Sequence, residues 1–225
     1  MENYKKDFID FMVKSNVLCF GEFVTKSGRT APYFINTGNY MTGEQIFSLG
    51  NYYADCIENS VKDEFNVIYG PAYKGISLCV TASAALFNKY KKNYNFCFNR
   101  KETKDHGEGG SLIGYKPKDN DRILIIEDVV TAGTSFRESM DLLSKLGKVK
   151  ITTMVISVDR MEKGKGHQTA TQELESEFGI KVVPIVTVKD ILEHLYNRKF
   201  NGKTYIDQAM KQKIEEYLTK YGVAG

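Results

Sequence analysis

One stretch constrains this chain more than any other: ILIIEDVVTAGTS, residues 123–135. A short apolar run turns acidic at Glu127 and Asp128, a turn follows at 129–133, and a helical pattern begins at Thr134. The order is strand, loop, helix. The run is continuous rather than alternating, the pattern of a strand buried on both faces, as in a parallel sheet. Such sheets bind ligands outside the carboxyl ends of their strands, and Glu127 and Asp128 stand at that end. Thr131, Ala132, Gly133, Thr134 and Ser135 are small and lead into a helix start, where unpaired backbone N–H groups carry partial positive charge. They offer a phosphate cradle to which the hydroxyls of Thr131, Thr134 and Ser135 can add. An acidic pair beside a phosphate repels it, so the pair must face something else: vicinal ribose hydroxyls, a hydrated Mg²⁺, or a developing positive charge.

The same order recurs upstream. A strand at 65–69 leads into GPAYKGIS, residues 70–77, and a small-residue helix to Tyr90. Gly70 and Gly75 permit close backbone approach, and Lys74 adds a full charge to a second anion site. Around these two units the chain reads in sequence as follows. Residues 2–16 form an amphipathic helix with Phe8, Phe11 and Met12 on one face. A hairpin turns at Ser27-Gly28. A helix spans 42–60, its start signed by Thr42 and Gln45 as a capping box. A strand occupies 95–99. Residues 100–114 carry Arg100, Lys101, Lys104 and His106 among several glycines, the composition of a loop that opens and closes. The helix after the central motif runs to about Leu146 and stops at Gly147. A strand at 149–158 ends in Asp159-Arg160, a helix at 171–178 stops at Gly179, and 181–186 is a last strand. Helices at 188–196 and 205–221 close the chain, over the sheet or a dimer seam. Strands alternating with helices predict an α/β fold with a doubly wound, mainly parallel sheet. We expect one domain over residues 1–225, with 1–40 contributing a small N-terminal hood and 100–114 a mobile catalytic loop.

Composition excludes more than it assigns. A chain of 225 residues supports one sizeable core. No apolar run approaches a membrane span, and MENYKKDFIDFMVK carries acids and a helical period, so it reads as neither signal nor transit peptide. Cys19, Cys56, Cys79 and Cys97 form no C-x-x-C pair and read as free thiols of a reducing, cytoplasmic compartment. A net charge of +3 is too small to argue for nucleic acid. Gly202-Lys203-Thr204 lacks the first glycine of a phosphate-binding loop, since Asn197 stands there. His106, His167 and His194 have no metal-ligand spacing.

The acidic pair, two residues, and Thr-Ala-Gly-Thr-Ser resemble the ribose-phosphate signature of type I phosphoribosyltransferases. GPAYKG resembles that family's pyrophosphate loop. KSGR followed by PYFIN, and KDHGEGG at 104–110, resemble the hood and the mobile loop of its orotate phosphoribosyltransferase branch. The resemblance covers roughly residues 26–160. It implies transfer of the ribose 5-phosphate of phosphoribosyl pyrophosphate (PRPP) to orotate N1, giving orotidine 5′-monophosphate and pyrophosphate with Mg²⁺. It places Glu127 and Asp128 on the ribose hydroxyls, and Val129, Val130, Thr131, Ala132, Gly133, Thr134 and Ser135 on the 5-phosphate. Tyr73, Lys74, Arg100, Lys101, Lys104 and His106 fall to the pyrophosphate end. Lys26, Phe34, Ile35, Thr131 and Arg160 fall to orotate, the guanidinium on its carboxylate. The implied catalytic groups are Lys104, His106, Glu127 and Asp128, with either Lys104 or His106 as proton donor to pyrophosphate. The metal is expected on PRPP itself, without a direct protein ligand and through water to Asp128. The family's mobile loop crosses a dimer, which implies a homodimer with shared active sites, and neither nucleic acid nor membrane as partner. Glu127 stands where aspartate is common, and Ile35 where a second aromatic is frequent. A phosphoribosyltransferase acting on a purine base should not carry KDHGEGG, Lys26 and Arg160 together, and a PRPP-sensing regulator that binds nucleic acid would want an added DNA-binding domain or a basic face, neither of which the N-terminal residues offer.

Overall fold

A computed structural model describes residues 1–25, 28–102, 111–164 and 166–223. Numbering elements in chain order, the central stretch is β6 (Arg122–Val129). On one side β3 (Val67–Gly70) and then β4 (Asn95–Asn99) run parallel to it; on the other, β7 (Lys150–Asp159) and then β8 (Lys181–Thr187) do the same. The short β5 (Leu112–Gly114) closes the β4 edge antiparallel.

The pleat sends alternate residues of β6 to opposite faces. Leu124 and Ile126 join a core with Ile68 and Val155, roofed by α1 (Asn3–Lys14), α2 (Gly43–Ser60) and α3 (Lys74–Tyr90). Ile123 and Ile125 join a second core with Tyr69 and Met154, roofed by Phe136 of α4 (Thr134–Ser144) and Leu174 of α5 (Ala170–Phe178). All four β6 side chains are 0% exposed, each burial being worth roughly 1.5–3 kcal/mol. The continuous apolar run is therefore a strand between two helix layers, and the sheet is doubly wound.

The hood is an antiparallel hairpin of β1 (Leu18–Val24) and β2 (Thr30–Ile35), with a register shift between Phe20 and Phe23. Helix α7 (Gln208–Tyr221) backs β2, with Tyr33 edge-on to Tyr217 at 6.0 Å between ring centres. Helix α1 packs on β1 of the hood and also reaches the main core at α2, β8 and α6 (Val188–Leu195); its Phe8, Ile9 and Met12 are fully buried.

Other expectations also shift at their ends. Helix α4 stops at Ser144, capped by Lys145 in right-handed geometry. Gly147 is not its terminating glycine; it marks a close pass, since a Cβ there would lie 2.6 Å from Asp119 Oδ1. The expected loop at 100–114 gives its last three residues to β5. The final helix begins only at Gln208, with Asp207 as its cap, because β9 (Lys199–Phe200) and β10 (Lys203–Thr204) pair ahead of it. All four cysteines are free, and Cys56, Cys79 and Cys97 are buried. No helix among the described residues is long and apolar enough to cross a membrane.

Candidate active site

Because β3 and β6 are parallel neighbours, with Tyr69 opposite Ile125, the loops leaving their carboxyl ends lie side by side. They open onto one cavity of about 330 Å³. Tyr73 and Lys74 line it from the β3 side; Thr131, Gly133, Thr134 and Ser135 line it from the β6 side, with Glu127, Asp128, Val129 and Val130 between. The β3 turn is closed so tightly that a Cβ on Gly70 would sit 2.0 Å from Gly75 O. Asn99 steadies it by accepting from Ala72 N–H at 2.6 Å. Helices α3 and α4 start at this cavity with no side-chain cap, as does α1 elsewhere. By contrast, Thr42, Thr169, Thr187 and Asp207 cap α2, α5, α6 and α7. The first-turn N–H groups of α3 and α4 are thereby left for an anion.

The acidic pair divides its labour. Asp128 Oδ2 accepts from Lys74 Nζ at 2.6 Å and from Thr37 Oγ1 at 2.7 Å, and Lys74 also donates to Thr37 Oγ1 at 3.0 Å. Glu127 Oε2 accepts from Ser135 Oγ at 2.8 Å. Below them, Tyr53 OH donates to Glu127 O at 2.8 Å and Ser157 Oγ to Asp128 O at 2.6 Å. Burial, and after it the charge of Asp128, pushes the Glu127 carboxyl up to about 7. A second negative charge beside the first is disfavoured at a nearly dry strand end.

A second cavity, of about 510 Å³, adjoins the first and shares Lys74, Asp128, Val129, Val130 and Thr131 with it. The hood supplies Phe34 and Ile35, the end of β7 supplies Arg160, and the central loop supplies Ala132. Phe34 is partly exposed and stacks on Phe23 at 5.5 Å. Arg160 pairs through Nη2 with Glu162 Oε1 at 2.5 Å rather than with Asp159, which accepts from Met161 N–H and Thr171 Oγ1 instead.

Among the described residues, the structure thus gathers those named for ribose, 5-phosphate and orotate, together with Tyr73 and Lys74. Lys26, Lys104 and His106 lie outside the described residues. Arg100 and Lys101 line neither cavity: Arg100 N–H donates to Ser111 O, and Lys101 reaches Glu138 at 3.3 Å. Some residues of the site escaped the sequence reading, four of them close to the acidic pair or to Arg160. Thr37 and Ser157 touch Asp128 from 91 and 29 positions away, and Arg29 and Glu162 line the second cavity. Only Arg29 had a signal, its place in the quoted KSGR.

Residues 38–190 match the model of the phosphoribosyl transferase domain family. An orotate phosphoribosyltransferase of Clostridium botulinum (strain Alaska E43 / Type E3) is 51% identical over 222 residues, 99% of either chain. That of Clostridium acetobutylicum is 52% identical over 223 residues, 99% of this chain and 100% of the relative. Among solved structures, orotate phosphoribosyltransferase from Francisella tularensis superposes with a TM-score of 0.84 at 38% identity, covering 96% of this chain and 99% of that one.

Proposed function

The chain belongs to the phosphoribosyl transferase family and, within it, to the orotate phosphoribosyltransferases, and on that premise we propose how its cleft performs the reaction. It transfers the 5-phosphoribosyl group of PRPP to orotate, giving orotidine 5′-monophosphate and pyrophosphate, a step of pyrimidine biosynthesis. The observation that carries the mechanism is the shared wall of the two cavities: Lys74, Asp128, Val129, Val130 and Thr131 face both. A sugar lying along that wall has an anion cradle at each end and the hood's apolar pocket over its anomeric carbon.

The bond from C1 to the pyrophosphate oxygen breaks, a bond from C1 to orotate N1 forms, and the N1 proton is released. Positive charge grows on the ribose, which Asp128 and Glu127 stabilise from the strand end. Negative charge grows on the leaving group. Lys74, now on Asp128, turns to meet it, joined by Lys104 and His106; one of these two protonates it. The N–H groups of α4, with Thr131, Thr134 and Ser135, hold the 5-phosphate. Phe34 and Ile35 cover the base, and Arg160 takes its carboxylate.

Mg²⁺ belongs to this reading. Among the described residues no three His, Cys, Asp or Glu side chains cluster to cage an ion. Glu127 and Asp128 line the cleft, a donor set that fits an ion keeping most of its ligands from substrate phosphate and water. When bound, it supplies neutralisation of leaving-group charge. The assembly proposed is a homodimer. Helices α2 and α3 meet where Gly50 faces Thr81, and their outer sides expose Phe47 (61%), Val80 (40%) and Phe87 (55%). Such apolar exposure suits a second copy of the chain. A cytoplasmic location goes with this reading.

Orotate absorbance, followed after adding PRPP and Mg²⁺, tests the proposal. Loss of absorbance that requires both additions, with orotidine 5′-monophosphate and pyrophosphate formed in equal amounts, is the expected result. Consumption of adenine or hypoxanthine in place of orotate would overturn it.

A further inference from the structure

We propose that Glu162 is a positioning residue for base recognition: it fixes the guanidinium of Arg160 and ties its orientation to the C-terminal helix. The inference rests on the function proposed above and adds a residue to it.

Glu162 collects four donors. Its Oε1 accepts from Arg160 Nη2 at 2.5 Å, Tyr217 OH at 3.0 Å and Tyr33 OH at 3.4 Å, and its Oε2 faces Arg29 Nη1 at 3.8 Å. The Arg160 guanidinium also lies over the Tyr33 ring, 5.6 Å from its centre. Arg160 is thus gripped along one edge by a carboxylate and from one face by an aromatic ring. The two side chains are 18% and 17% exposed, so little water competes for these contacts. Burial first, and the Glu162 charge second, push the Tyr217 hydroxyl up to about 12 and raise Tyr33 as well, so both remain donors at neutral pH.

The backbone at Glu162 is clamped from two sides. Its carbonyl accepts from Ala170 N–H at the start of α5, Lys163 N–H donates to Tyr221 O at 2.8 Å, and Val223 N–H donates to Met161 O. The segment that aims Arg160 is thereby bound to the end of α7. The charge count also favours an anion. The cavity that holds Phe34 and Ile35 is lined by four cations, Arg29, Lys74, Arg160 and Lys163, against three carboxylates, Asp128, Asp159 and Glu162, which leaves one net positive charge. Asp159, the nearest acid in the chain, is engaged by Met161 N–H and Thr171, and Asp128 by Lys74.

Orotidine 5′-monophosphate and uridine 5′-monophosphate differ only in the carboxylate, so their dissociation constants, measured by calorimetry, isolate its recognition. Glu162→Ala should weaken orotidylate binding about tenfold or more, the scale of a lost hydrogen bond to a charged group, while uridylate binding stays within about twofold. Glu162→Gln, which keeps an acceptor oxygen, should recover most of the difference, and Tyr217→Phe should shift it in the same direction by less. Adding Glu162→Ala to Arg160→Ala should cost nothing further. Equal weakening of both nucleotides by Glu162→Gln and Tyr217→Phe, or no weakening of orotidylate by Glu162→Ala, would overturn the inference while Arg160→Ala still erased the preference for orotidylate. If Arg160→Ala left that preference intact, the fault would lie with the assignment of Arg160, and the inference would fall with it.

Discussion

At the scale of single residues, the acidic pair makes opposite demands on proton and cation. Glu127 folds with its carboxyl pushed up to about 7 against 4.5 in its ordinary setting. Between those values the folded chain keeps the proton and the unfolded chain releases it, so Glu127 withdraws stability as pH rises through that window. Glu127→Gln removes the titration. Its stability relative to the parent, read by urea unfolding, should therefore rise from about pH 5 to about pH 7 by at most about 1.4 kcal/mol per unit. A difference that stays flat with pH would mean that Glu127 ionises freely in the fold. Lys104→Ala should lower kcat by roughly 10²-fold, the scale of one preorganised charge at the transition state; steady-state rates would show it, and a change under threefold would remove Lys104 from the chemistry. The residues on which these predictions rest were legible because chemistry-bearing types sat next to one another in EDVVTAGTS and KDHGEGG. Thr37 was not legible. It is an ordinary threonine in a hood loop, and only folding brings it 2.7 Å from Asp128. Glu162 sits two positions beyond Arg160, yet its role depends on Tyr33 and Tyr217, which no spacing rule connects to it.

At the scale of elements, the two strand-loop-helix units do the positioning. Leu124 is wholly buried in β6, and Leu124→Ala should cost about 2–5 kcal/mol, seen as a lower unfolding midpoint. Gly70→Ala tests the turn rather than the core. The added methyl would overlap Gly75 O and approach Cys79 Cβ to 2.8 Å, so the turn must shift. A loss of about 1–3 kcal/mol is expected from such overpacking, and PRPP binding should weaken because Lys74 moves with the turn. Unchanged PRPP affinity would separate the turn from the site. The long elements were readable because their apolar periods run over many residues, as in α2 with its capping box at Thr42 and Gln45. Strands β5, β9 and β10 have two or three residues each, too few to show any period. Gly147 misled for a different reason. Glycine serves both helix stops and close passes, and only the nearness of Asp119 tells which.

At the scale of the whole molecule, the expected sharing of the loop across a dimer can be read out by mixing two inactive variants. Lys74→Ala and Lys104→Ala damage different parts of one site. If Lys104 serves the partner's cleft, a mixed dimer has one site with both lysines and one with neither, so an equimolar mixture after subunit exchange should regain about a quarter of wild-type activity. Absence of recovery, with mixed dimers demonstrated by mass, would place each loop over its own cleft. The sheet order followed from strands and helices taking turns along the chain. The seat of α1 did not, because an amphipathic helix declares that it has an apolar face without declaring which surface receives it. In β6, Ile123 to Asp128 are all buried, so six consecutive positions join two helix layers and end in the acids proposed to face the ribose. A saturation library would come back depleted along that whole segment, hydrocarbon and carboxylate alike. Intolerance there would not separate scaffold from reagent; the two would part only in an assay that scores folded protein and turnover independently.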